Sequence, residues 1–210
     1  MKHKLDFREH WFAILAISVF AIALVGGAFW FDAPVQRWVA AHQTPGVHAF
    51  MRWVSIVGDW PGHVVAALIA MAFAYFRGNK RWVRICLALI VACALGGAAA
   101  RVGKIALGRT RPNAHEAQKW NGPHLLASKF HSFPSGHTTS SFAFFTTLLI
   151  FRRRLGASLL FIPVVIGVSR VYLLAHFFSD AIGGMVIGIA CGFFVAQSRL
   201  LQSEERRAGI

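Results

Sequence analysis

The amino-acid sequence predicts an all-α fold: a polytopic membrane bundle of six transmembrane helices with short interfacial helices, organised as one domain over residues 1–210. Three observations lead there. Apolar residues make up 56% of the chain, and counting the 19 glycines while leaving out the 2 tyrosines raises this to about 64%, against roughly 45 to 50% in soluble proteins. Charged residues are only 14%, against about 25% in a typical soluble chain, and they cluster between runs that carry almost none. The runs themselves have the length that a hydrocarbon layer of about 30 Å asks of a helix, roughly 17 to 25 residues.

Taken in order, the first span runs from Trp11 to about Phe31 after a basic start at Lys2, Lys4 and Arg8. It is too long for the apolar region of a signal peptide and lacks a clear small-residue cleavage site, so it is read as an anchored helix. Residues 32–61 mix Pro34, Pro45, Gly46 and Pro61 with Trp38, Trp53 and Trp60, a pattern suited to short helices at the membrane interface. The second span is expected from about Gly62 to Phe76, the third from Trp82 to Val102, the fourth from His137 to Phe151, the fifth from Leu155 to Leu174 and the sixth from Ala181 to Ala196. The second and fourth are short. Gly184, Gly188 and Gly192 recur every four residues in the sixth, and Gly96, Gly97 and Ala98 to Ala100 lie in the third; such residues let helices approach closely, and packing within the chain is favoured over a dimer face. Whether the chain is a monomer or homodimer stays open. Cys86, Cys93 and Cys191 lie in apolar runs, where thiols serve as small packing groups and not as bridges or zinc ligands.

Lys and Arg distribution gives the topology. Six spans put both termini and the 77–84 and 152–154 loops on one side, and that side holds 13 of the 22 basic residues although its connections are short. The positive-inside rule then makes it cytoplasmic, with connections 32–61, 103–136 and 172–180 facing outward. The same flanking pattern accounts for the formal charge of +14 as attraction to anionic membrane lipids, with no nucleic-acid partner expected.

Three polar groups fall on the outward side: Lys104 to Pro112, closing span three; Phe133-Pro134-Ser135-Gly136-His137-Thr138, opening span four; and Ser169-Arg170 through His176 to Asp180, joining spans five and six. The topology was derived without them, yet it collects all three on one face. Lys104, Arg111 and Arg170 would repel one another in a partly dry setting unless an anion lay between them, and phosphate suits the arginine fork and the lysine point charge. Pro134 to His137 reads as a tight turn into a helix N-terminus, whose free N–H groups favour an anion, with Ser135 as a further donor and Gly136 allowing close approach. His176 and Asp180 are four apart, so the carboxylate can hold one ring nitrogen and leave the other free for in-line attack on phosphorus. His137 is then available to protonate a poor leaving group. No metal or cofactor is required, because three cations and a helix end already offset the developing charge.

Lys104 with six residues to Arg111-Pro112, then Pro134-Ser135-Gly136-His137, then Ser169-Arg170 with five residues to His176 and three to Asp180 resembles the tripartite signature of the type 2 phosphatidic acid phosphatase superfamily, without substitution at any signature position. The resemblance implies Lys104, Arg111 and Arg170 as phosphate ligands, Ser135 and Gly136 as donors to the same phosphate, His137 as general acid, and His176 as a nucleophile forming a phosphohistidine supported by Asp180. The composition fits the integral membrane branch and excludes the soluble acid phosphatases and vanadate-dependent haloperoxidases of that superfamily.

Other polar residues receive blander readings. Arg109, Lys119 and Lys129 are expected to be snorkelling anchors, and His42, His48, His63, His115, His124 and His131 to be satisfied polar residues. Glu116 could touch a substrate head group. An anion channel or transporter would also explain membrane cations, but it leaves the Ser135-Gly136-His137 turn and the His176–Asp180 pair without a task; a dead lipid-binding scaffold is disfavoured because no catalytic position is altered. The expected activity is therefore a metal-independent lipid phosphatase in a bacterial inner membrane, acting on the outer, periplasmic face. Undecaprenyl diphosphate is the preferred substrate because that carrier is recycled outside, ahead of phosphatidylglycerophosphate, phosphatidic acid and lipid A 1-phosphate.

Overall fold

The computed structural model describes residues 7–114 and 118–198, and Glu116 and His115 lie outside the described residues. The described chain is all-helical apart from one isolated bridge between Arg109 and Trp120. Its helices are α1 (Phe7–Trp30), α2 (Asp32–His42), α3 (Pro45–Val57), α4 (Trp60–Phe76), α5 (Lys80–Leu107), α6 (Gly136–Phe151), α7 (Arg153–Leu159), α8 (Phe161–Tyr172) and α9 (Phe178–Gln197), with short 3-10 turns at Pro112–Ala114 and Ser128–Phe130.

Four stretches are long and apolar enough to cross a membrane: Trp11–Trp30, Lys80–Leu107, Arg153–Tyr172 and Phe178–Gln197. The helices α3 and α4, bent by 56°, make a fifth if counted as one span. The expected second and fourth spans are the helices α4 and α6, of 17 and 16 residues, and α6 rises only about 24 Å. The fifth span differs from expectation by a break at Leu160, three residues before Pro163, which lies in the first turn of α8 and whose ring and missing N–H disfavour a continuous helix there. The third reaches further than expected, to Leu107, and so carries Lys104 within its last turn. Gly108 stops it in the left-handed conformation at φ 56°, and a β-carbon there would fall 1.8 Å from the Gly122 carbonyl oxygen, so only glycine fits.

The centre of the bundle is α6. From Thr138 to Leu148 every residue is buried, so this helix meets other helices and not lipid, which is why it can be short and rich in Ser and Thr. Its hydroxyls turn back on the backbone, Thr139 Oγ1 donating to the Ser135 carbonyl at 2.7 Å and Thr147 Oγ1 to Ala143 at 2.8 Å and to Gly192 at 3.2 Å. Close contact with α9 comes from the glycine ladder: a β-carbon at Gly184, Gly188 or Gly192 would lie 2.7, 2.5 or 2.6 Å from the carbonyl oxygens of Ser135, Thr139 and Ala143. This face is occupied inside the chain, as the spacing suggested. Valine at Gly188 is expected to overpack the seam and cost about 1 to 3 kcal/mol or more, lowering the thermal midpoint in detergent, whereas Gly26→Ala, with nothing within 4 Å of the new carbon, leaves it unchanged.

Candidate active site

One end of the bundle collects all three polar groups. Lys104 rises from the last turn of α5 and donates from Nζ to the His131 carbonyl at 2.7 Å. A β-carbon on Gly136 would lie 3.6 Å from Lys104 Cε, so the lysine stem crosses directly over the start of α6. Arg111 is carried by the loop after α5. Its Nε donates to the Ser128 carbonyl at 3.0 Å and its Nη1 reaches the Ala175 carbonyl at 3.4 Å, beside His176. Arg170, in the last turn of α8, donates through Nη1 to Ser55 Oγ, while its buried Nε has no protein partner. These cations are near enough to repel one another, and burial first of all pushes Arg111 below its ordinary range, Asp180 opposing.

The turn into α6 has the expected form. Ser135 is the N-cap residue, fully buried, and its hydroxyl accepts from Thr138 Oγ1 at 2.9 Å, leaving its own proton free. The first-turn N–H groups of an α-helix have no acceptor within the helix, so those of Gly136, His137 and Thr138 are available at the end of α6 that Lys104 crosses. Ser135 N–H donates to the Asp180 carbonyl at 3.0 Å, which ties the start of α6 to the start of α9.

His176 and Asp180 meet, although His176 precedes α9, so the two do not share a helical turn despite being four residues apart. His176 lies in the turn before α9, where Leu174 adopts φ 52° and the N–H groups of Ala175 and His176 both return to the Arg170 carbonyl. A leucine in the left-handed region is strained, of order 1 to 3 kcal/mol, and its cost is offset by the turn that brings Arg170 and His176 together. Asp180 is the third residue of α9. Its Oδ2 accepts from Phe177 N–H at 2.9 Å and Ser132 Oγ at 2.5 Å and lies 3.4 Å from His176 Nδ1. With Nδ1 facing the carboxylate, Nε2 is left with the lone pair. Burial, reinforced by Lys104 and Arg111 and opposed by Asp180, pushes the His176 imidazole down to about 3. The ring is therefore uncharged at neutral pH, the form that a nucleophile needs.

Arg109 is not a surface anchor. Only 2% exposed, it is the hub of a buried network. Nη1 donates to Asp180 Oδ1 at 2.5 Å and to Ser179 Oγ at 2.6 Å, and Nη2 to Asp32 Oδ2 at 2.5 Å. Ser179 completes the knot, its N–H and hydroxyl donating to the two oxygens of Asp32 at 2.8 and 2.7 Å. The rings of Phe29, Trp120 and Phe177 surround the guanidinium carbon at 4.9, 5.1 and 4.3 Å, supplying cation–π contacts on a group sheltered from water. Lys119 and Lys129 are exposed, and His131 is buried with Nε2 against the His124 carbonyl at 2.7 Å, in keeping with the blander readings.

Four further residues join the site without having been singled out from the sequence: Asp32, Ser55, Asp59 and Ser132. Asp59 Oδ1 lies 3.5 Å from His137 Nε2. A usable signal existed in scarcity: the chain has 8 acids, and a carboxylate flanked by apolar segments needs a cationic or donor partner. Among the described residues no group of three or more His, Cys, Asp or Glu could hold a metal ion.

Chemically, the end of the bundle offers a tetrahedral anion three cations, a serine hydroxyl and helix N–H groups, with an uncharged imidazole on one side and a second imidazole nearby. The chain is similar to known proteins. The sequence profile of the PAP2 superfamily matches residues 83–203. A lipid A 1-phosphatase of Rhizobium etli is 30% identical over 190 residues, 85% of this chain and 80% of that protein. The undecaprenyl-diphosphatase BcrC of Bacillus subtilis is 36% identical over 62 residues, 30% of this chain and 32% of that protein. The crystal structure of a transmembrane PAP2 type phosphatidylglycerolphosphate phosphatase from Bacillus subtilis shares the fold with a TM-score of 0.60 at 18% identity, over 92% of this chain and 96% of that one. The chain accordingly belongs to the PAP2 superfamily, as a membrane-embedded phosphate hydrolase.

Proposed function

We propose that the protein removes a terminal phosphate from a lipid on the outer face of a bacterial inner membrane, through a phosphohistidine at His176. The reading rests above all on the convergence of Lys104, Arg111 and Arg170 with the start of α6, His137 and the His176–Asp180 pair. In the first step His176 Nε2 attacks phosphorus in line, the bond from phosphorus to the lipid oxygen breaks, and His137 gives that oxygen a proton. In the second, His137 takes a proton from water, the resulting hydroxide forms the new bond to phosphorus, the bond to His176 breaks, and inorganic phosphate leaves. Lys104, Arg111, Arg170, Ser135 and the N–H groups from Gly136 onward hold the phosphate oxygens in both steps. Asp180 fixes the His176 tautomer.

The membrane topology proposed is six spans, α1, α4, α5, α6, α7 with α8, and α9, with both termini cytoplasmic, supported by the distribution of Lys and Arg. A lipid substrate is supported by an apolar groove of about 490 Å³ between α3, α4, α6 and α8, lined by Trp53, Val57, Gly58, Phe144 and Ile166 among others. Its Gly58 precedes Asp59, so the groove begins next to His137. Compact outward connections leave little protein to enclose a large soluble substrate.

Lipid A 1-phosphate is the first substrate to test, because the similarity to a lipid A 1-phosphatase extends over most of the chain; undecaprenyl diphosphate, preferred from the sequence, is second and is favoured by the shorter match to BcrC. Purified protein in detergent is expected to release phosphate from one of these two faster than from phosphatidic acid or phosphatidylglycerophosphate. Activity is expected to persist in excess EDTA, since the site relies on fixed cations, and to fall with vanadate, which imitates the five-coordinate transition state. Metal-restored activity, or anion flux in liposomes without phosphate release, would refute the reading.

A further inference from the structure

The end of α3 and the turn that follows it deliver two polar groups to the site that the reaction scheme does not use. Ser55 accepts from Arg170 Nη1, and Asp59 faces His137 Nε2 at 3.5 Å. The turn is held tightly, for a β-carbon on Gly58 would come within 2.5 Å of Ile166 Cγ1 on α8. Asp59 is itself fixed as the N-cap of α4, its Oδ1 accepting from Trp60 N–H at 2.8 Å.

Consider what faces the His137 ring. Arg170 approaches from α8, Lys104 from α5 and Arg111 from the loop after α5, and Asp59 opposes them from the α3–α4 turn. The ring also stands at a helix N-terminus, whose dipole disfavours a cation. A proton donor here needs a counter-charge. Asp180 is not available for that purpose, being engaged by Arg109, Ser132, Phe177 N–H and His176. Asp59 is the carboxylate that remains, among the described residues, within ion-pair distance of His137.

We infer that Asp59 is a positioning residue for the proton donor: its carboxylate orients the His137 ring and supplies the negative charge that lets the ring carry the proton given to the leaving lipid oxygen. The inference rests on His137 being that donor. It also links proton donation to the α3–α4 turn that borders the apolar groove, so a lipid chain entering the groove lies against the element that holds the donor's partner.

The test uses Asp59→Asn and Asp59→Ser, both good N-cap residues, so that the cap survives while the charge is lost. Turnover of the lipid substrate, phenyl phosphate and para-nitrophenyl phosphate is measured for the wild type, each Asp59 variant, His137→Ala and the double variants. The Asp59 variants are expected to lose about tenfold or more on the lipid, part of the 10² to 10⁴ that general acid catalysis supplies, a smaller factor on phenyl phosphate and the least on para-nitrophenyl phosphate. The alkaline limb of kcat/KM for the lipid should move to lower pH, and Asp59→Glu should restore part of the loss. In the His137→Ala background Asp59→Asn should add nothing. Equal losses on all three substrates in the Asp59 variants, or full additivity with His137→Ala, would overturn the inference while leaving His137 as donor. Equal losses in His137→Ala itself would instead refute the proton-donor reading.

Discussion

His176→Ala is expected to abolish turnover of every substrate, lipid or aryl, by at least about 10⁴-fold, the scale of loss when a covalent nucleophile is removed from an enzyme. The reason is geometric. Nε2 of His176 is the ring nitrogen left unengaged by Asp180, and the depressed basicity of the ring keeps it unprotonated, so among the described residues it is the imidazole nitrogen that the proposed attack calls for. Rapid quench into alkali with labelled substrate should trap an acid-labile, alkali-stable phosphoryl group on the wild-type protein and none on the variant. A variant that still turned over would exclude the covalent path. Asp180→Asn should be intermediate in rate, because the amide no longer fixes the tautomer. It also deprives Arg109 of one of its two carboxylates, so its thermal midpoint should fall as well.

Arg109→Met is expected to have the second largest effect, and on stability before rate. The substitution leaves Asp32 and Asp180 without the guanidinium that joins them, both of them buried. Removing one partner of a buried ion pair typically costs about 3 to 5 kcal/mol, since the remaining charge stays desolvated. Lysine is no substitute: a single ammonium does not reproduce the fork that reaches Asp32, Asp180 and Ser179 together, nor its stacking against Phe29, Trp120 and Phe177. The protein should be recovered in low yield with a lowered midpoint in detergent. Combining Arg109→Met with Asp32→Asn should regain part of that stability but little activity, because Asp180 remains unpaired. Unchanged stability in Arg109→Met would mean that the network is not needed to hold the fold.

Much of this arrangement was legible in the sequence, and the exceptions have physical causes. Runs of apolar residues bounded by charge mark α1, α5 and α9 because lipid demands length and hydrophobicity together. The helices α4 and α6 were harder to delimit. Buried among other helices, α6 is released from the bilayer's requirements, and its Thr and Ser hydroxyls bond to its own backbone and to α9. The residues Lys104, Arg111, Ser135, Gly136, His137, Arg170, His176 and Asp180 were found because their spacing within each motif is local. Arg109 was misread because a cation at a span end is usually solvated, and its partner Asp32 is 77 residues away in sequence. Remoteness in sequence also hid Asp59 and Ser55, the latter 115 residues from Arg170, which reach the site because α3 packs on α8.

On the proposed reaction, the Arg109 network also bears on what becomes of the product. Left alone, two buried carboxylates would cancel most of the attraction that Lys104, Arg111 and Arg170 exert on an incoming dianion. Arg109 neutralises one of the two, so, with Asp59 set against a protonated His137, the formal charge around the phosphate position stays near two positive units, matched to a phosphate dianion. On the proposed reaction, inorganic phosphate carries that charge as fully as a lipid phosphate does, and it lacks the chain that the apolar groove would hold. Discharge of the product thus becomes a matter of ionic strength and of competition with the next substrate: added phosphate should act as a competitive inhibitor, more weakly as salt screens the attraction, and the lipid chain becomes the means by which substrate displaces product.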